Sequence, residues 1–247
     1  MSNLFKACIH NDIQTVLSLI VGGTNVNYKD NHGNTPLIIA CVYGHYEIVK
    51  LLTAYNANVN YKNNNGVSPL HVATLNAYKN IIELLAVHGA DIDEKFYNTQ
   101  TVLHNACWYG HYELAELLIK LGANINEKDK NGNTSLCLAS IYGHHEIVEL
   151  LVYHGSNVNN KNINGNTPLH HACCNNKYYK TVGLLIKHGA NINEKNNDGN
   201  TPMTIAQDLK CDEVTRLLIK EIKKRVYILS FVVNMDVLKH SIIKKID

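Results

Sequence analysis

The stretch NHGNTPLIIA, Asn31 to Ala40, returns along the chain as NNGVSPLHVA from Asn64, KNGNTSLCLA from Lys130, INGNTPLHHA from Ile163 and NDGNTPMTIA from Asn197. A looser copy, YNTQTVLHNA, begins at Tyr97. The leucine of each copy stands at Leu37, Leu70, Leu103, Leu136 and Leu169, a spacing of 33 residues, and then slips by one to Met203. A fixed period of this length predicts a stack of small units, none of which buries its apolar face without a neighbour.

One unit, Asp30 to Lys62, shows how the pattern folds. Asn-Gly and Asp-Gly pairs such as Asn65-Gly66 and Asp198-Gly199 reach positive φ cheaply and predict tight hairpin turns. Thr35 is placed to cap a helix, and Pro36 at its first position loses no needed N–H. That helix carries Leu37 and Ala40 on one face and ends at Gly44. A second helix starts near Tyr46, with Ile48, Val49, Leu51 and Leu52 as its apolar stripe, and stops at Asn56, where other units place Gly23, Gly89, Gly122, Gly155 or Gly189. Departures are local. Val102 and Ser135 replace the proline, Thr99 replaces the hairpin glycine and should strain or change its turn, and one extra residue falls near Cys174 to Tyr178.

The linked motifs Thr-Pro-Leu-His, Gly-His-x-Glu and His-Gly-Ala-x-Ile-Asn closely resemble ankyrin repeats. The resemblance covers about Leu4 to Lys224 and implies an all-α solenoid of helix-turn-helix units joined by β-hairpin loops. Units begin near residues 1, 30, 63, 96, 129, 162 and 196, giving a repeat domain over 1–224. A tail, 225–247, follows. Its apolar run Val226 to Val233 is too short to span a membrane, and Leu238, Ile242 and Ile246 suggest a short amphipathic helix within Met235 to Ile246. The tail is expected to cap the apolar flank of unit seven, or else to dock a second protein.

With 45% hydrophobic residues and a net charge of +2, the chain has material for a core and no charge excess that marks a general nucleic-acid or membrane binder. No leader or membrane span is evident. Lysine-for-arginine usage and abundant asparagine read as an AT-rich genome, as in a virus or intracellular bacterium, while the cysteine usage is that of a reducing cytoplasm, that of a host if so. Of the seven cysteines, Cys8, Cys41, Cys107 and Cys173 share one phase after an alanine. Stacked helices hold that phase about 8–10 Å apart, beyond the roughly 7 Å limit of a disulfide, so the thiols should be reduced packing residues. Cys137, Cys174 and Cys211 lack zinc-ligand spacing.

The fourteen histidines also recur by phase. His71, His104 and His170 stand in the Thr-Pro-Leu-His position, His45, His111 and His144 between the helices, and His88, His154 and His188 at the second helix end. Recurrence at a structural phase predicts hydrogen-bonded bridges between loops, not ligation. Lys29, Lys62, Lys95, Lys128, Lys161 and Lys195 form a ladder before each turn, three of them preceded by glutamate, and read as a solvated face. No nucleophile–base constellation or phosphate loop appears, so neither an enzyme nor a cofactor or metal is expected. The resemblance instead implies a monomeric scaffold that binds another protein through its concave face and hairpin tips. By phase these positions include Tyr43, Tyr97, Trp108, Tyr109, Ile141 and Tyr142, with Asn31, His32, Leu75, Asn131, Ile163 and Asn175 among the rest. Unit four alone carries tryptophan, an over-represented hot-spot residue. In an alternative, the repeats select a target and residues 225–247 recruit cellular machinery such as a ubiquitin ligase.

Overall fold

The computed structural model describes residues 3–95 and 99–243, with side chains described through Ile228. Seven helix pairs make up these residues: α1 (Asn3–Ile9) with α2 (Ile13–Val21), α3 (Pro36–Val42) with α4 (Tyr46–Ala54), α5 (Pro69–Leu75) with α6 (Lys79–Val87) and α7 (Val102–Tyr109) with α8 (Tyr112–Lys120). Then follow α9 (Ser135–Tyr142) with α10 (His145–Tyr153), α11 (Pro168–Ala172) with α12 (Tyr179–Lys187), and α13 (Pro202–Asp208) with α14 (Asp212–Ile243). First helices pack on first helices and second on second, in two layers.

Six of the seven first helices, all but α1, start where the sequence caps them. Thr35, Ser68, Thr101, Thr134, Thr167 and Thr201 hold extended backbone, and their hydroxyls accept from the N–H three residues on. Such a cap contributes about 1 kcal/mol. α7 and α9 begin at the same phase without proline, which shows that the cap and not the proline sets the start. The extra residue of unit six is taken up by a 3-10 turn, Asn176–Tyr178. Asn176 Oδ1 accepts the Glu213 N–H at 2.8 Å and so caps α14 from the preceding unit.

The core is one continuous strip. Leu37, Leu70, Leu103, Leu136 and Leu169 are buried between first and second helices, with Ile48, Val49 and Leu52 of α4 and their equivalents Leu114, Ala115 and Leu118 of α8. All seven cysteines are free and six are buried. Burial lifts the Cys8 and Cys107 thiols to about 12, leaving them protonated and unreactive.

No extended strand forms among the described residues; the connections between units are tight turns. In five of them, those that carry Asp30, Asn63, Asp129, Asn162 and Asn196, the carboxyl or amide oxygen of that residue accepts two N–H groups, Asp30 from His32 and Asn34 and Asn162 from Asn164 and Asn166 among them. Three pairs of neighbouring tips join by single backbone bonds, Asn64 N–H to His32 O at 3.1 Å, Ile163 N–H to Asn131 O at 3.0 Å and Asn197 N–H to Asn164 O at 3.0 Å. Thr99 takes the glycine's conformation with φ 62°, the strained outcome for a β-branched residue.

The asparagines correct the reading of their abundance as genome bias alone. Asn27 donates its amide to Asn56 O at 3.3 Å and accepts from Asn58 N–H at 2.8 Å. Asn60 does the same to Gly89 O and Asp91 N–H, and Asn159 to Gly189 O and Asn191 N–H. An amide supplies a donor and an acceptor from one side chain. Asp93, at the same phase, keeps only the acceptor half, to Asn124 N–H at 2.8 Å.

α14 runs unbroken through Lys224, where the repeat pattern ends, and Val226, Tyr227 and Ile228 are exposed on it. The expected amphipathic segment lies within this helix as far as Ile243, and Ile246 lies outside the described residues. No helix is long and apolar enough to cross a membrane among the described residues.

Candidate protein-binding surface

The C-terminal ends of the first helices present large side chains to solvent: Tyr43 just past α3, Leu75 on α5, Trp108 and Tyr109 on α7, and Tyr142 on α9. Units four and five tie theirs into one closed circuit. The Trp108 indole packs on the Tyr142 ring with centroids 4.8 Å apart and planes tilted 44°. Tyr142 stacks on His144, whose Nε2–H donates to the Trp108 carbonyl at 3.2 Å. The His144 ring in turn lies against Gly110, where a Cβ would fall 2.6 Å from it. Gly110 therefore needs to be glycine twice over, for its φ of 76° and for the ring. Trp108 nonetheless keeps 38% of its surface open and Tyr109 61%. The indole is thus packed and open at once.

The junction between units three and four breaks this pattern. Gly44 and Gly143 receive the rings of Tyr78 and Tyr178 as Gly110 receives His144, but the equivalent position there is Ala77, held at φ 53°. Its methyl occupies the space that a ring fills elsewhere. His111, next in line, lacks the bridge that His45 makes to Ile9 O and His144 to Trp108 O, each at 3.2 Å. A recess of about 190 Å³ results, lined by Thr74, Leu75, Asn105, Ala106, Tyr109, His111 and Leu114. The buried Thr74 hydroxyl finds no hydrogen-bond partner, and Leu75 and Tyr109 stand open beside it.

The buried histidines of the first helices act within the stack. His104 donates from Nε2 to Asn133 O at 3.2 Å and accepts at Nδ1 from Thr101; His170 repeats this with Asn200 O and Thr167. Burial lowers both imidazoles, and those of His71 to about 3 and His171 to about 4, so they are neutral. Five of the six ladder lysines are engaged within the stack. Lys62, Lys128 and Lys161 each donate to the backbone carbonyl of the next rung, Lys95 meets Glu127 at 2.6 Å, and Lys29 sits 4.2 Å over the Tyr61 ring. Glu94 is the exception. Instead of lying half-open like Glu127 and Glu194, it is buried against Lys62 at 3.3 Å, the Ser68 hydroxyl and His71, and burial raises its carboxyl. No group of His, Cys, Asp and Glu suited to a metal occurs among the described residues.

A family model described as ankyrin repeats (3 copies) matches residues 4–96, 88–162 and 154–227. The chain belongs to the ankyrin-repeat family. Its fold is similar to the crystal structure of the human ASB11 ankyrin repeat domain, with a TM-score of 0.73 and 26% identity, covering 89% of this chain and 97% of that one. No functionally curated protein matches. Ankyrin repeats are in general protein–protein interaction modules.

Within this ankyrin stack, the structure brings Trp108, Tyr109, Ile141 and Tyr142 together on adjoining helix ends, with Ile141 half-buried. Tyr43 stands two units away, stacked on His45 with centroids 5.8 Å apart. Tyr97 lies outside the described residues. Ile163 is exposed on the unit-six tip. Sequence reasoning passed over Ala77 and the Thr74 hydroxyl. The signal was available, since Ala77 stands in the phase of Gly44, Gly110 and Gly143.

Proposed function

We propose that this ankyrin-repeat protein is a monomeric, non-catalytic scaffold in the cytoplasm, that of a host cell if the gene is viral or bacterial. It binds another protein through the concave face and hairpin tips. The observation that carries the reading is the Trp108–Tyr142 pair, in which two large aromatic rings are held in place by packing and by the His144 bridge, and yet remain open. Ordered aromatics bury much area at little further entropic cost, which is how hot spots arise. Ser68, His71 and Glu94 argue against catalysis, because they meet inside a helix cap closed to substrate. Affinity capture from cytosol with wild-type and Trp108→Ala/Tyr109→Ala baits tests the proposal. A protein retained by the first and lost by the second, with equal thermal stability of the baits, supports it; equal retention by both opposes it.

A second reading, the adaptor, rests on α14. Its continuation past the stack with Val226, Tyr227 and Ile228 exposed favours a docking segment for cellular machinery such as a ubiquitin ligase over a cap on unit seven. Truncation after Lys224 separates the two. An adaptor loses one partner and keeps its melting temperature, whereas a capped stack loses stability.

A further inference from the structure

The outer face of the second helices lacks a side chain at one point of its repeat. Midway along α4, α6, α8 and α10 the solvent side carries Lys50, Glu83, Glu116 and Glu149; in α12 the same phase is Gly183. Glycine inside a helix is destabilising relative to alanine, and no turn calls for it here. A methyl built on Gly183 would meet only Leu217 Cδ2, at 3.9 Å. A groove of about 540 Å³ runs over Gly183 between α12 and α14. Half-buried Gly183, Ile186 and Leu217 line its base, and exposed Lys187, Lys220 and Lys224 border it. Its one carboxylate, Glu221, is taken by Arg225 at 2.8 Å, and the neighbouring Glu213 faces Arg216 at 3.8 Å. None of the three lysines has an ion-pair partner among the described residues.

We propose that this groove binds an acidic peptide segment of another protein, with one apolar side chain seated over Gly183 and flanking carboxylates met by Lys187, Lys220 and Lys224. The volume lies in the range of about 300–1,000 Å³ typical of ligand clefts. Unopposed lysines around an apolar floor select an acidic ligand by charge complementarity. The recess favours a peptide over an anionic bilayer, because a projecting side chain enters a groove and a flat headgroup plane does not. The site lies between second helices and is independent of the surface at Trp108.

The test is selection of a random peptide library, displayed on phage, on the full chain. Enriched peptides are expected to carry acidic residues on both sides of an aliphatic or aromatic one, and to bind Gly183→Glu, which restores the side chain of the neighbouring units, about tenfold or more weakly. Gly183→Ala is expected to melt at or above the wild-type temperature, and Lys220→Glu/Lys224→Glu to lose the same peptides with the fold intact by circular dichroism. The proposal is overturned by no enrichment, by basic or uncharged winners, or by winners that bind Gly183→Glu as well as wild type. Adsorption to phosphatidylserine vesicles lost in Gly183→Glu, without peptide binding, would assign the groove to a membrane and overturn it. Self-association lost in that variant would assign it to a second copy, with the same consequence.

Discussion

Trp108 and Tyr142 face one another across the junction of units four and five with ring centroids 4.8 Å apart, and the indole is still 38% exposed. Because Trp108 is the chain's one tryptophan, its emission reports this contact directly. Iodide should quench the free protein in part, and Tyr142→Ala should raise quenching by freeing the indole face. An indole that iodide cannot reach in either protein would contradict the arrangement.

Leu118→Ala and Leu151→Ala should each cost roughly 2–5 kcal/mol, as both leucines are fully buried on α8 and α10 and leave cavities between units. Both lie in interior units, so neighbours lose coupling too. Urea titration checks this. A change under about 0.5 kcal/mol, the scale of an ordinary surface substitution, would place these side chains outside the core.

Stability should fall in mild acid. Burial holds His71 near 3 and His171 near 4, and lowers His104 and His170, so the fold keeps them neutral while the unfolded chain protonates near about 6.5. The unfolded state then binds more protons below that pH, and stability drops by up to about 1.4 kcal/mol per pH unit for each such histidine. Glu94, raised by burial, acts in the opposite sense just above its ordinary value of 4.5, because the fold protonates first there. Urea midpoints at about pH 7.5, 6.5 and 5.5 should decline below about 6.5; a flat or rising series would contradict the neutral, buried histidines.

Ala77→Gly should stabilise the chain. A left-handed alanine costs about 1–2 kcal/mol, and glycine returns roughly 0.5–1 kcal/mol of that in backbone entropy, for a net gain of about 0.5–1 kcal/mol. The vacated space should also admit the His111 ring and close the recess beside Thr74. The urea midpoint is expected to rise, and a fall would show that the Ala77 methyl is packed favourably.

Much of this could be read from the chain because the repeat pattern states local rules many times over. Thr35 and its equivalents announce each helix start, and Leu37 and its equivalents the core, so six copies agree before any contact is known. What escaped depends on partners one unit away. Asn27 and Asn60 look like bias when counted, and become a ladder only once Asn58 and Asp91 are stacked on them. Gly110 announces a turn but not the His144 ring above it, so Ala77 read as ordinary although it alters the next unit. Tyr109 was found by phase, whereas the unpaired Thr74 hydroxyl beside it carries no sequence signal, since threonine is unremarkable inside a helix.

The central claim, that a partner protein seats on the first-helix ends of units three to five, is tested most directly by photocrosslinking. Benzoylphenylalanine in place of Tyr109 places the probe on that surface, and the same probe in place of Val87, which is 82% exposed at the end of α6, controls for the opposite layer. In cytosol, the account predicts a discrete covalent adduct from position 109 that disappears when Trp108 is also alanine, and none from position 87. An adduct from position 87 with none from position 109 would contradict it.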